Sequence, residues 1–262
     1  MSDPIFIYLF IAVTAISGYY FRLLTKSGSI AAFLIGLAVS AAFGMNGLLL
    51  LGFFFASSSF LSKYKSKVKI KIEERHEKGS RRDWQQVAAN GGTAAIAGLL
   101  YLAFPHPIWF IGFAISIASS NSDTWASEIG SLSKRPPVFL RSFKRIETGT
   151  SGAVSFLGTF AAIGGALTIA ALSSYLFHLT SNEFLVIFIF GFAGNVFDTL
   201  LGAFVQAVYQ CKVCHMEVES LNHCGVKTQL TKGVSFINND FVNFFSGFLA
   251  AILGTLSIVM FR

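Results

Sequence analysis

Charge is what this chain lacks most. Only 13% of its 262 residues are charged, 53% are hydrophobic, and Phe alone supplies 29. A soluble domain carries about a quarter charged residues, so an ordinary soluble globule is excluded and a chain dissolved in lipid is indicated. Cysteine is equally scarce. All three lie between Cys211 and Cys224, an odd number in a segment read as cytoplasmic, which excludes a disulfide framework. No basic stretch precedes the first apolar run, which follows Asp3 and Pro4, and no small-residue cleavage site follows it. That run therefore reads as a retained first span and not a cleaved signal. The net charge of +7 does not indicate nucleic acid as a partner, because membrane proteins collect Lys and Arg in cytoplasmic loops.

What is present is a series of apolar runs. A helix crossing a bilayer needs ~20 mostly apolar residues. About eight segments are expected, at 4–24, 30–43, 47–61, 84–104, 108–121, 152–177, 184–208 and 241–261. The range is roughly six to nine. The second and third are short enough to be half-helices or a re-entrant pair. The fold class expected is all-α, a polytopic integral membrane protein forming one transmembrane domain over residues 1–262. Its loops at 63–83, 131–149 and 209–237 carry the positive charge: Lys63 to Arg82, then Lys134, Arg135, Arg141, Lys144 and Arg145, then Lys212, Lys227 and Lys232. Even numbers of spans separate them, so they share one side. The positive-inside rule makes that side cytoplasmic and both termini external.

Polar residues gather at the same side. Arg82, Gln86 and Asn90 open the fourth segment. Asn121, Asp123 and Glu128 close the fifth. Glu147, Gly149, Thr150, Ser151 and Gly152 open the sixth. Asn195, Asp198 and Gln206 lie in the seventh, and Asn239, Asp240 and Asn243 open the eighth. The opposite ends offer little beyond Asn182 and Glu183. Ionisable groups within spans are costly and face a cavity or a partner, so this asymmetry implies a shared hydrophilic pocket. The alternative is a polar packing seam between helices.

Asn195 and Asp198 share a helix face at a spacing of three. A helix break near Asn121 to Asp123 would bring Asp123 and Glu128 to one side. Asp240 with Asn239 and Asn243 suits a hard cation such as Mg²⁺, or else helix capping. The small residues Gly149 to Gly152 expose backbone N–H groups ahead of an apolar helix, as anion sites do. They are not a P-loop, because the Gly-Lys-Ser/Thr ending is missing.

Cys211 and Cys214, followed by His223 and Cys224, have the donor types of a tetrahedral Zn²⁺ site, with His215 as an alternative fourth ligand. Such a closed site would staple the loop and perform no chemistry. Free cytosolic thiols are the alternative.

Several of these stretches occur together: Arg82 to Gly91, Ser122 to Gly130 (SDTWASEIG), Gly149 to Ser155 (GTSGAVS), Gly194 to Ala203 (GNVFDTLLGA) and Asn238 to Asn243 (NNDFVN). In this order they resemble the transmembrane protein 19 family, long described as a domain of unknown function, which includes a plant phytyl-phosphate kinase. Ser122 stands where Ala is common and Thr199 where Ser is common; neither change removes a carboxylate.

The resemblance implies phosphorylation of an isoprenoid monophosphate to its diphosphate by a nucleoside triphosphate, with CTP favoured. Mg²⁺ would be held by Asp123, Asp198 and Asp240, with Glu128 as a further donor. Asn195, Asn239 and Asn243 would orient ligands, while Arg82 and the Gly149–Gly152 backbone would bind phosphate. A cytidylyltransferase making a CDP-lipid would use the same pocket. An ion or lipid-phosphate transporter is the alternative from another class, but its outer half would need polar groups that are absent here. No Asp-x-x-x-Asp pair supports a prenyltransferase.

Overall fold

The computed structural model describes residues 4–64, 78 and 81–260. Seven helical runs stand among the described residues: α1 Pro4–Tyr20, α2 Lys26–Lys63, α3 Trp84–Ala103, α4 Ile108–Gly130, α5 Phe156–Phe177, α6 Ser181–Phe204 and α7 Asn239–Met260. The basic run from Lys65 to Arg75 lies outside the described residues.

The second run is two rods. Its 38 residues would extend ~57 Å if straight. Instead Lys63 Nζ donates to the carbonyl of Phe21 at 3.0 Å, so the two ends of α2 lie side by side. The reversal is at Gly44, whose φ of 63° and ψ of −154° belong to a region that essentially only glycine occupies. At that turn Asn46 donates to the carbonyl of Leu176 at 2.8 Å, and Phe43 meets Tyr101 in a tilted and Phe110 in an edge-on contact, at centroid distances of 5.3 and 5.7 Å. Those partners mark the far ends of α3 and α5 and the start of α4. Both arms therefore traverse the full depth of the bundle. The short second and third segments read from sequence are neither half-helices nor a re-entrant pair. They are full-length arms, each ~27 Å long.

Eight rods result among the described residues, their lengths close to the bilayer's ~30 Å hydrocarbon thickness. Lys26–Lys63, Phe156–Phe177, Ser181–Phe204 and Asn239–Met260 are each long and apolar enough to cross a membrane. Helices α3 and α4 are less apolar because they carry the site's Gln, Asn, Ser and Asp residues. Helix α4 is the axis. It packs against α2, α3, α5, α6 and α7, and from Phe110 to Ser122 every residue is buried. Outward faces remain apolar, with Phe160, Tyr175, Ile189 and Val259 exposed, a surface that water would disfavour and lipid solvates.

Helix starts follow their caps. Thr25 and Ser155 accept from the N–H of Gly28 and Gly158, both at 3.0 Å. Asp83 with Gln86 and Thr180 with Glu183 form capping boxes. Asn238 accepts from the N–H of Phe241 at 3.0 Å, satisfying a donor at the start of α7. Between α4 and α5 a two-stranded ribbon joins β1 Val138–Phe139 to β2 Ala153–Val154. Between α6 and α7 an insert carries β3 Val208–Gln210, β4 Glu217–Val218, β5 Asn222–His223, β6 Val226–Lys227 and β7 Gln229–Lys232. Strand β3 lies between β4 and β7, and β5 pairs with β6. Ribbon and insert sit at one end of the bundle, the polar end.

Candidate functional site

Two helices set the centre of the site. Gly194 on α6 meets α4 so closely that a Cβ there would lie 2.0 Å from Ser119 Oγ. This contact brings the polar turns of both helices together. Asn195 Nδ2 donates to Asp123 Oδ1 at 3.0 Å. Asp198, one turn further along α6, accepts from Ser246 on α7 at 3.3 Å. The carboxylates of Asp123 and Asp198 interact electrostatically with each other. Both line a cavity of about 170 Å³ together with Ser127, Asn195 and Thr199.

The loop Gly149–Gly152 forms another wall of that cavity. Its shape needs glycine. Gly149 and Gly152 have φ of 89° and 81°, and a Cβ at Gly152 would lie 2.3 Å from the backbone nitrogen of Ala203. The loop thus lies directly on the last turn of α6. Helix α5 begins only at Phe156, past β2, so the loop is not the helix N-terminus that the sequence suggests. The loop reaches the cavity from a turn.

The remaining expected residues divide into two other places. Helix α4 runs unbroken through Asn121 to Asp123, so Asp123 and Glu128 diverge. Glu128 accepts from Ser62 on the second arm of α2 and acts electrostatically on Arg82. Burial pulls the Arg82 guanidinium below its ordinary value, and Glu128 opposes that. Arg82, Gln86 and Asn90 line a second, apolar cavity of about 120 Å³ with residues such as Phe10, Ile35 and Phe55.

Asp240 lines neither cavity. It accepts from Lys78 Nζ, which also contacts Asp83 at 2.9 Å and Gln85 at 2.7 Å. Asn239 opens α7 beside it, and the carbonyl of Asn243 accepts from Ser246 at 3.1 Å. Asp240 is therefore part of a Lys-centred ion cluster tying α7 to α3, apart from the carboxylate pair. Cys211, Cys214, His223 and Cys224 converge in the insert and line neither cavity.

Glu219 was not legible beforehand, whereas Gln206 was read from the sequence within the seventh segment. Gln206 lies beyond the end of α6, outside the helical segment in which the sequence placed it. It is buried and donates to Glu219 at 2.8 Å and Ser151 at 3.2 Å. Glu219, an acid in a cysteine-rich loop, also accepts from Ser151, and no local pattern marks it. Ser246 had a faint signal, lying three residues after Asn243 on the same face.

Two carboxylates, one amide and two hydroxyls around one cavity form an all-oxygen donor set, the kind a hard dication takes. Neither Asp123 nor Asp198 has an ion-pair partner among the described residues, so a divalent cation would relieve their mutual repulsion. The residues fit Mg²⁺.

The family model for integral membrane protein DUF92 matches residues 9–251. This chain belongs to that family. Protein PGR of Arabidopsis thaliana is 30% identical over 284 residues, covering 97% of this chain and 96% of that protein. An uncharacterized membrane protein of Methanocaldococcus jannaschii, MJ0933, is 30% identical over 95% of this chain and 91% of its own. The chloroplastic protein VTE6 of Arabidopsis thaliana is 26% identical over 89% of this chain and 65% of its own. No solved structure matches. The chain is thus an integral membrane protein, as its composition implies.

Proposed function

We propose that this protein is a lipid-phosphate kinase that converts an isoprenoid monophosphate to its diphosphate with a nucleoside triphosphate, CTP being favoured. The observation that carries the reading is the Asp123–Asp198 pair facing the Gly149–Gly152 loop across one cavity at the polar end of the bundle. Two acids with no ion-pair partner among the described residues, opposite a glycine loop, suit a metal-phosphate ligand better than a packing seam. Membership of the same protein family as the similar VTE6 and PGR proteins is consistent with this reading.

Phosphoryl transfer depends on positioning and charge neutralisation more than on covalent chemistry. An alkyl phosphate is already an anionic nucleophile, so no general base is required. Mg²⁺, when bound, would neutralise phosphate oxygens. Asp123 and Asp198 would hold it, Asn195 fixing the rotamer of Asp123. The Gly149–Gly152 N–H groups and the Thr150 hydroxyl would hold a phosphate. The prenyl chain would lie along the apolar helices, with Arg82, Gln86 and Asn90 at the polar end of the α1–α3 cavity. Glu128 then serves to orient Arg82. The nucleotide would enter from the cytoplasm, where the positive-inside rule puts the ribbon and the insert.

The test is turnover by purified protein in detergent with Mg²⁺. Geranylgeranyl, farnesyl and phytyl monophosphates would be offered with CTP, ATP, GTP or UTP, and lipid products followed by mass spectrometry. Lipid diphosphate with nucleoside diphosphate is expected. A CDP-lipid with pyrophosphate would identify a cytidylyltransferase instead, and no product from folded protein would overturn the enzymatic reading.

A further inference from the structure

The insert between α6 and α7 contains a second concentration of chemistry that the phosphate pocket does not use. The donor atoms of Cys211, Cys214, His223 and Cys224 all lie within 4.8 Å of one another. His223 Nδ1 is 3.4 Å from Cys214 Sγ and 3.3 Å from Cys224 Sγ. Zinc bond lengths of ~2.3 Å to sulfur and ~2.0–2.1 Å to nitrogen set a tetrahedral N···S edge of ~3.5 Å, and the observed separations fall close to that edge. All three cysteines are free thiols. We infer that Cys211, Cys214 and Cys224 through Sγ and His223 through Nδ1 bind one zinc ion, and that this ion staples the insert onto the glycine loop.

The backbone is arranged for those ligands. Cys211 and Cys214 close the β3–β4 hairpin, where the N–H of Cys211 donates to Met216 and that of His215 to Cys211, both at 3.0 Å. The N–H of Val213 points at Cys211 Sγ at 3.4 Å, which favours a metal-bound thiolate. The β5–β6 hairpin turns through Cys224 and Gly225, with φ of 51° and 75°. Two residues with positive φ make a type I′ turn, in which Asn or Asp is usual ahead of Gly. A cysteine held there is unfavourable for the backbone alone, and its sulfur joins the cluster. The second imidazole of the segment, His215, is not among the converging donors. Three thiolates and an imidazole match the donor set of closed structural zinc sites.

The insert is small and has little core of its own, with only Ala207, Tyr209 and Val218 buried together. A metal is what such short-stranded segments use in place of a core. One residue beyond β4, Glu219 holds Ser151 and Gln206, so the staple fixes a loop that lines the carboxylate cavity. The zinc assignment stands on the insert alone and does not depend on the kinase reading.

The test uses full-length protein purified without chelators. Metal content by plasma mass spectrometry should be about one zinc per chain and fall at least tenfold in Cys214→Ser and Cys224→Ser, while His215→Ala retains it. Cobalt substituted into the wild type should show sulfur-to-cobalt charge-transfer absorption. Hydrogen exchange should rise across 207–232 and 147–155 in Cys224→Ser, with the membrane helices unchanged. Absence of zinc together with absence of the cobalt absorption would overturn the proposal, as would stoichiometric iron or a disulfide. Zinc retained in both cysteine variants would overturn the ligand assignment.

Discussion

At the residue scale, the two central acids are related by packing and not by sequence spacing. Asp123 and Asp198 come from helices that touch at Gly194 and Ser119. Replacing either with Asn keeps the volume and removes the charge. Activity is expected to fall at least ~10²–10³-fold, the usual cost of deleting one electrostatic contact in a reacting site. The melting temperature should be unchanged or higher, since like charges have been separated. Full turnover in both variants would sink the proposed metal role. Gly152 makes a sharper structural prediction. Gly152→Ala places a Cβ against the backbone of Ala203 at a φ of 81°. The strain should amount to ~1–3 kcal/mol, visible as a lower melting temperature and reduced substrate protection of the loop from proteolysis.

At the element scale, the start of α3 joins two charged neighbours. Burial pushes the Asp83 carboxyl up, but the Gln86 N–H and Lys78 outweigh it and hold it below the usual carboxylate value. Burial likewise disfavours the Lys78 charge, while Asp240 and Asp83 prevail and raise its pKa. A lowered carboxylate stabilises the fold above its unfolded pKa of ~3.9 and loses that contribution as pH falls through the folded value. A raised lysine contributes below ~10.4 and loses its contribution as pH rises through the folded value. Asp83→Ala should cost about 1 kcal/mol, constant from about pH 5 to 9, and the difference from wild type should shrink below about pH 4. Thermal unfolding in detergent across that range reads it; a pH-independent difference would exclude the ion pair.

At the scale of the whole molecule, the helical rods put ribbon, insert and both cavities' polar residues at one end. The excess of Lys and Arg predicts that this end is cytoplasmic. Arg135→Cys in the ribbon loop and Asn182→Cys at the opposite end are both exposed positions. In sealed right-side-out vesicles, an impermeant maleimide should label Cys at 182 and spare Cys at 135 until the membrane is opened, as read by peptide mass spectrometry. Reversed labelling would invert the topology and put the nucleotide on the other side.

Membrane residence was determined by the sequence itself, because transfer of apolar residues into lipid is summed along the chain and needs no partner. The shared face of Asn195 and Asp198 and the cysteine spacing were legible for the same reason: each acts over a short stretch of chain. The tertiary structure decided what each acid faces. Five residues along a helix amount to ~140° of rotation, so an unbroken α4 turns Asp123 toward Asn195 and Glu128 toward Arg82. It also decided that Asp240 neutralises Lys78, that α2 doubles back at Gly44, and that Glu219 reaches Ser151. Those outcomes depend on how helices rotate and approach one another, and packing between distant segments, not local pattern, sets that rotation.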